Sequence, residues 1–495
     1  MTGIDLGALG VLGLALVYLG LGIYHAWLKP LPRDVSLEGQ PCRVDAADIE
    51  FLHDVTGWQG DRQVSRQMIF DRVIAMIRDA REFVLLDFFL FNDFLGKDLT
   101  AHRPLCRLLT DELIALKRRR PDVRFLVISD PVNVAYGNVV PAHFTELKAM
   151  GIPVVLTDLA ALRDSNPLYS GLWRLLGSWL GTSSHRYLPH PLSPTAPGVG
   201  MRAWLSLLNF KANHRKLVIA DAPTATGREM AAMVLSGNPH DASSAHGNVG
   251  LRVGGEVWRD LIRSEQAILD LSGSGIDLSS WLPAWAGQPP GDIDPPDRPS
   301  ATVQVLTEGK IGKALLRVIA TTQPGDNIDV ALFYLSSRPV IRALLVAEQR
   351  GVTVRILLDP NREAFGYAKN GIPNRPVAAE LMKKGAGNLT VRWANTHREQ
   401  FHTKMVLVRR QEQATLILGS ANLTRRNLGD FNLETDLMVT GPAQLPVLRE
   451  AADYFEGLWT NRSLACSQPY ESGPRSSLWA YGLYRLQEAT GLGTF

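Results

Sequence analysis

The sequence predicts an α/β protein of two similar halves related by pseudo-twofold symmetry and preceded by one apolar N-terminal helix. Three observations carry this reading. Helix-like apolar spacing alternates with short unbroken apolar runs, the alternation starts over in the second part of the chain, and residues 6–28 run essentially uncharged between Asp5 and Lys29. Strands buried on both faces read as continuous hydrophobes, so their alternation with amphipathic helices points to sheets covered by helices. The 495 residues, 45% apolar and 20% charged, suffice for two or more domains with full cores.

A helix rising about 1.5 Å per residue covers the roughly 30 Å hydrocarbon core over a stretch of that length. No Lys or Arg precedes it, and it is longer than the apolar core of a cleavable signal, so residues 6–28 read as a retained single-pass anchor. Lys29 and Arg33 follow it, and the positive-inside tendency then puts the catalytic part in the cytoplasm.

The first half is expected over residues 40–272, a linker over 273–301, the second half over 302–463 and an aromatic tail over 464–495. In the first half, residues 68–81 and 105–120 have helical spacing, and 83–91 and 123–128 read as strands. In the second, 312–322 and 339–350 read as helices, 327–334 and 352–358 as strands. Residues 84–91 correspond to 328–335, and 123–130, ending at Asp130, to 352–359, ending at Asp359, which indicates duplication of a large unit. Residues 272–300 are rich in Gly, Pro, Ser and Asp, and 183–200 form a second irregular stretch. Residues 168–180, with Leu172, Trp173, Leu176 and Trp179, are too short to span a bilayer; they fit a membrane-interface helix as well as a buried helix or a lid. The same pair of readings applies to residues 478–486, with Trp479, Tyr481 and Tyr484.

The net charge of +3 is small for the length and names no partner. Cys42, Cys106 and Cys466 lie far apart with no metal-ligand spacing, so neither a disulfide framework nor a metal site is expected.

Two segments recur at the same place in each half: Asn213-His214-Arg215-Lys216, running on to Asp221, and Phe401-His402-Thr403-Lys404, running on to Arg409. Residues two apart on a strand share a face, so each His and Lys are expected to project together into one cavity. A second strand-like run follows each motif and ends in Ser236-Gly237-Asn238 or Gly419-Ser420-Ala421-Asn422. Small residues admit a bulky anion, and Ser and Asn can donate hydrogen bonds to it. Breaking a phosphodiester calls for a nucleophile, a proton donor for the departing alkoxide and fixed positive charge around the phosphoryl oxygens. Two histidines and two lysines supply all three. With a reference pKa of about 6.5, one imidazole can attack while the other gives up a proton.

In these motifs the chain resembles the phospholipase D superfamily, whose hallmark is a duplicated HxKxxxxD followed by GGxN or GSxN. The first copy fits through His214, Lys216 and Asp221, its sequel reading one residue short; the second fits through Gly419, Ser420 and Asn422 but carries Arg409 in place of Asp. The resemblance implies two α/β/α-like halves meeting at one active site, no metal or other cofactor, His214 as nucleophile and His402 as general acid. It also implies phosphate binding by Asn238, Ser420 and Asn422, a structural role for Asp221, and a downstream carboxylate orienting each imidazole. Glu434 suits that role for His402, and Asn248 aligns with it in the first half.

Members of the superfamily act on phospholipids or nucleic acids. The anchor and the aromatic segments favour a phospholipid such as phosphatidylglycerol, and hence a cardiolipin synthase or phospholipase D of a bacterial inner membrane. A membrane-tethered nuclease is the alternative, for which Arg202, Lys211, Arg215, Arg425 and Arg426 would supply a basic groove. A catalytically silent lipid-binding scaffold is the third reading.

Overall fold

The computed structural model describes residues 6–97, 101–179, 187–191, 193–194, 196–224, 227–287, 298–364, 367–473 and 476–493. Much of the expected linker, residues 288–297, and part of the irregular stretch 183–200 lie outside them.

Two mixed sheets form the body. The first has eight strands in the order Arg62–Arg66, Ile49–Gln59, Asn248–Val253, Arg228–Leu235, Lys216–Pro223, Phe83–Phe88, Arg124–Ser129, Val154–Leu156. The second has nine: Cys42–Asp45, Ser300–Thr307, Thr435–Pro442, Gln413–Gly419, Lys404–Arg409, Asn327–Leu332, Thr353–Leu358, Leu389–Ala394, Ser467–Pro469. In each, three parallel strands join an antiparallel meander at the strand that begins with the motif lysine. Phe88 pairs with Lys216, and Leu332 with Lys404, so the two halves share one register around their motifs.

Alternation along the strands explains why the sequence shows unbroken hydrophobes. Leu217 and Ile219 face a core shared by both sheets, whereas Val218 and Ala220 face the outer helices Ile69–Asp79 and Leu105–Arg119. Leu407 faces the shared core, while Val406 and Val408 face the outer helices of the second half. Helix Val257–Leu271 packs against strands of both sheets, and helix Pro446–Thr460 does the same from the other side. The shared core therefore welds the halves together.

Strand Cys42–Asp45 lies outside the half to which the sequence assigned it: it pairs with Ser300–Thr307 as an edge of the second sheet. Four residues of alternating burial carry no information about which sheet receives them. Residues 168–180 give helix Pro167–Leu175 followed by a 3₁₀ turn Gly177–Trp179, and residues 478–486 lie within helix Leu478–Thr490. At the N-terminus, helix Leu6–Ile23 continues through a wider turn Tyr24–Leu28 and is largely exposed. Its 20-residue stretch Leu9–Leu28 is long and apolar enough to cross a membrane.

Candidate active site

The motif histidines sit just before their strands, on segments drawn across to the opposite half. His214 N donates to Leu433 O at 2.9 Å, and Gly247 N donates to Gln400 O at 3.1 Å. Each segment is also fixed from its own half by the aspartate that ends a parallel strand. Asp130 accepts from Asn213 N at 2.7 Å, and Asp359 from Phe401 N at 2.8 Å. Both are fully buried, and burial raises their pKa values to about 7 and about 6, against the pull of these N–H groups. Phe89 and Phe333, at matching places in the duplicated strands, lie with ring centroids 4.9 and 5.0 Å from His214 and His402. All four lie within the repeated runs 84–91, 123–130, 328–335 and 352–359.

The imidazoles are oriented by crossed partners, which corrects the expectation for Glu434. Its Oε2 lies 2.9 Å from Nδ1 of His214, not at His402. His402 Nδ1 instead faces Asn248 Oδ1 at 3.2 Å. The amide of Asn248 is held in that sense because its Nδ2 donates to His246 O at 3.1 Å. The reason for the crossing is that each orienting residue opens the return strand of one half, where that half's edge meets the other half's motif segment.

Ser420 also differs from expectation. Its hydroxyl donates to Glu434 Oε2 at 2.5 Å and accepts from Thr435 N at 2.9 Å, so it holds the carboxylate rather than facing the cavity. Ser236 does the same for Asn248, at 3.0 Å. This pair corrects the reading of the first copy as one residue short: Ser236 and Asn238 match Ser420 and Asn422 in full register, with Leu235 standing where Gly419 stands. The space the glycine leaves is supplied from across the ladder, where Leu235 faces Gly250 while Gly419 faces Asp436.

Lys216 and Lys404 do not project into the cavity beside their histidines. Both are buried; Lys216 Nζ folds back onto His214 O at 2.5 Å, and Lys404 Nζ onto His402 O at 2.8 Å. They lie over the rings of Phe89 and Phe333 at 5.2 and 5.3 Å. The alternation of the strand begins only at the lysine, because the preceding residue belongs to the crossing segment.

Burial dominates the electrostatics. It lowers the pKa of His214 to about 4, with Glu434 opposing the shift and Lys216 adding to it. Lys216 falls to about 7 by burial, against the pull of Glu434, Asp87 and Asp130. Burial, Lys404 and His246 hold His402 well below its ordinary value, and Lys404 is likewise far below its own through burial and the nearby Lys216. Burial works against the charge of Glu434, yet His214, Lys216 and Ser420 keep its carboxyl below the usual range. The protonation pattern that follows is a charged Glu434 accepting the Nδ1 proton of a neutral His214, whose Nε2 is left with its lone pair.

Both histidines line one cavity of about 480 Å³, together with Asn238 and Asn422. Its wall is strongly apolar, with Phe89, Phe94, Leu207, Phe210 and Phe333, and its cations are Lys211, Lys369 and Arg426. Lys369, which the sequence reading did not single out, bonds to Tyr334 Oη from a small hairpin after Asp359. Asn422 Oδ1 is buried without a partner among the described residues. Among those residues no group of three His, Cys, Asp or Glu side chains could hold a metal ion.

Several expected residues lie elsewhere. Asp221 accepts from the backbone N–H groups of Arg81, Glu82 and Phe83 and from Arg228, tying a strand start to its neighbour. Arg409, in the matching place, pairs with Asp329 at 2.8 Å beside Arg355. Arg215 is fully buried between Glu265 and Glu308, each at 2.8 Å, and does not line the cavity. Arg425 bonds to Ser165 O, and Arg202 borders a separate cavity.

Two sheets of matching topology bring one motif histidine from each half to a single cavity. Residues 315–459 match the family described as "Cardiolipin synthase, PLD-like domain". Cardiolipin synthase A of Pseudomonas putida (strain W619) is 25% identical over 412 residues, covering 79% of this chain and 65% of that protein's length. Phosphatidylserine synthase of Haemophilus influenzae Rd KW20 shares the fold, with a TM-score of 0.55 over 97% of this chain and 98% of that one at 11% identity.

Proposed function

We propose that this chain is a membrane-anchored phosphatidyltransferase or phosphodiesterase, of the cardiolipin synthase or phospholipase D type, that works through a phosphohistidine. The observation that carries it is the pair His214 and His402 at one cavity, each imidazole held at Nδ1 from the opposite half.

His214 Nε2 attacks the phosphorus, and Glu434 stabilises the imidazolium charge that develops. The bond from phosphorus to the leaving alkoxide breaks as His402 Nε2 delivers its proton. An acceptor hydroxyl then attacks the phosphohistidine, gives its proton to His402 and releases His214. Water as acceptor makes the reaction a hydrolysis; an alcohol makes it a transfer. Lys211, Lys369 and Arg426 supply positive charge at the cavity wall and Asn238 and Asn422 amide donors to the phosphoryl oxygens, while Lys216 and Lys404, bonded to the histidine carbonyls, hold the two imidazole segments in place. The anionic substrate itself raises the pKa of His402 toward the value a proton donor needs.

The apolar wall of the cavity and the exposed apolar helix at residues 9–28 support a phospholipid substrate, phosphatidylglycerol or a relative, over nucleic acid. The same helix supports a membrane anchor, the bacterial relative favours an inner membrane, and Lys29 and Arg33 after the helix favour the cytoplasmic side for the body. The test is to incubate detergent-purified protein with phosphatidylglycerol and, separately, with single-stranded DNA, beside a His214→Ala control, and to analyse products by mass spectrometry. Cardiolipin with glycerol, or phosphatidic acid, absent from the control, is the expected result. Shortened DNA with untouched lipid would overturn it in favour of a nuclease, and no product from either substrate would favour a binding scaffold.

A further inference from the structure

The helix Pro167–Leu175 is not a core helix. Leu172 is 50% exposed, Leu176 70% and Trp179 83%, and with Leu168 the leucines form a stripe at four-residue spacing along one face. Its polar groups turn inward. Tyr169 Oη donates to Leu205 O at 2.6 Å, Ser170 Oγ to Asn209 Oδ1 at 2.9 Å, and Arg174 makes a two-point pair with Asp164 at 2.9 Å. The outer face is left with hydrocarbon alone.

The N-terminal helix lies along this segment in the antiparallel sense. Lys29 Nζ donates to Ala160 O at 2.8 Å, Asp164 N to His25 O at 2.9 Å, and Tyr18 Oη to Leu168 O at 2.6 Å. Gly171 has no side chain to obstruct the Tyr18 ring: a Cβ there would meet it at 2.8 Å. From Lys29 to Tyr18 the contact climbs roughly 16 Å along the helix axis, about half of a hydrocarbon core. Beyond Gly171, Leu172, Leu176 and Trp179 continue toward the N-terminal end of the same helix.

We infer that the segment Pro167–Trp179 is itself seated in the bilayer, in the leaflet that the N-terminal helix enters first, with Leu168, Leu172, Leu176 and Trp179 against lipid. The inference rests on reading residues 9–28 as a membrane span. A span that crosses the bilayer carries the surface packed along it to the same depth, and an apolar face with its polar groups internally paired is what that depth admits. The consequence concerns access. Asn166 and Ser170 bond to Leu208 O and Asn209, at the end of helix Met201–Leu207, and Leu207 and Phe210 line the catalytic cavity. The cavity is thereby held one helix away from the lipid and can receive a phospholipid without lifting it into water.

The test places a fluorescent NBD label on Leu172→Cys, Leu176→Cys, Leu12→Cys or Lys383→Cys, each in the full chain carrying Cys42→Ser, since Cys106 and Cys466 are buried. The proteins are reconstituted in phosphatidylglycerol/phosphatidylcholine vesicles and quenched with iodide from water or with doxyl-labelled lipid. Labels at 172 and 176 should be quenched roughly three-fold less by iodide than the label at 383, and should respond to doxyl lipid as the label at 12 does. Iodide quenching at 172 and 176 equal to that at 383, with position 12 protected, would sink the inference and leave the anchor standing. Quenching of position 12 by iodide as well would sink the anchor and the inference together.

Discussion

Glu434 reaches His214 from the opposite half of the chain, its Oε2 2.9 Å from the imidazole Nδ1, while the place that matches Glu434 in the first half is held by Asn248, 3.2 Å from Nδ1 of His402. The two imidazoles are thus equivalent in geometry and unequal in charge support. A histidine backed by a carboxylate is the better nucleophile, and one backed by a neutral amide gives up its proton more readily.

Replacing Glu434 by Gln keeps the shape but removes the charge that stabilises the His214 imidazolium. The expected result is a fall in kcat of about 10²-fold or more, with KM moving far less. Steady-state kinetics on a phospholipid substrate checks it, and an equal rise in KM with kcat unchanged would contradict the role given to the carboxylate.

Asn248→Asp adds negative charge beside His402. Because a nearby anion favours the protonated imidazole, its pKa rises, and the alkaline limb of the pH profile should move up by about 1–3 units. In the unaltered chain the limb of kcat/KM assigned to His402 lies on the acid side of 6.5, since burial, Lys404 and His246 all disfavour the charged ring. An unmoved limb in the variant would mean that His402 is not the group titrating there.

The division of labour between the histidines predicts opposite fates for an activated phosphodiester. With a p-nitrophenolate leaving group no proton donor is needed, so His402→Asn should still form the phosphohistidine and then stall, because no base activates the acceptor. Mass spectrometry of the intact protein and of its peptides should find the remaining phosphoester group, with its other alcohol still attached, on His214 in that variant. Finding it on His402 in a His214→Asn protein instead would reverse the assignment.

Arg215 predicts a stability effect. It is fully buried between Glu265 of the first half and Glu308 of the second, so Arg215→Met leaves two buried carboxylates without their counter-ion. A loss of about 3–5 kcal/mol is expected from chemical denaturation. Adding Glu265→Gln and Glu308→Gln should recover most of it, and a further loss in the triple variant would refute the pairing argument.

The duplication, the motif residues and the strands were legible because burial on both faces and repeated spacing leave their mark on consecutive residues. Asp130 and Asp359 stand in plain sight at the ends of the repeated strands; their role needed the structure because their partner N–H groups lie 83 and 42 residues away. The crossing of Glu434 to His214 was hidden for the same reason, since a sequence aligns each half with the other but does not say which half completes which site. The registry of Ser236 and Asn238 was obscured by Leu235, whose bulk is accommodated by Gly250 on the neighbouring strand. Cys42–Asp45 was misassigned because an edge strand is recruited by whichever sheet lies nearest.

The shared core and the crossed hydrogen bonds also bear on how such a chain can change over time. An imidazole whose orienting group lies in the other copy cannot be retuned alone, so a substitution in either copy is judged by its effect on both. With Glu434 in one copy and Asn248 in the other, the two are not interchangeable. A chain built from two identical copies of either repeat would give both imidazoles the same Nδ1 partner, a carboxylate in one case and an amide in the other.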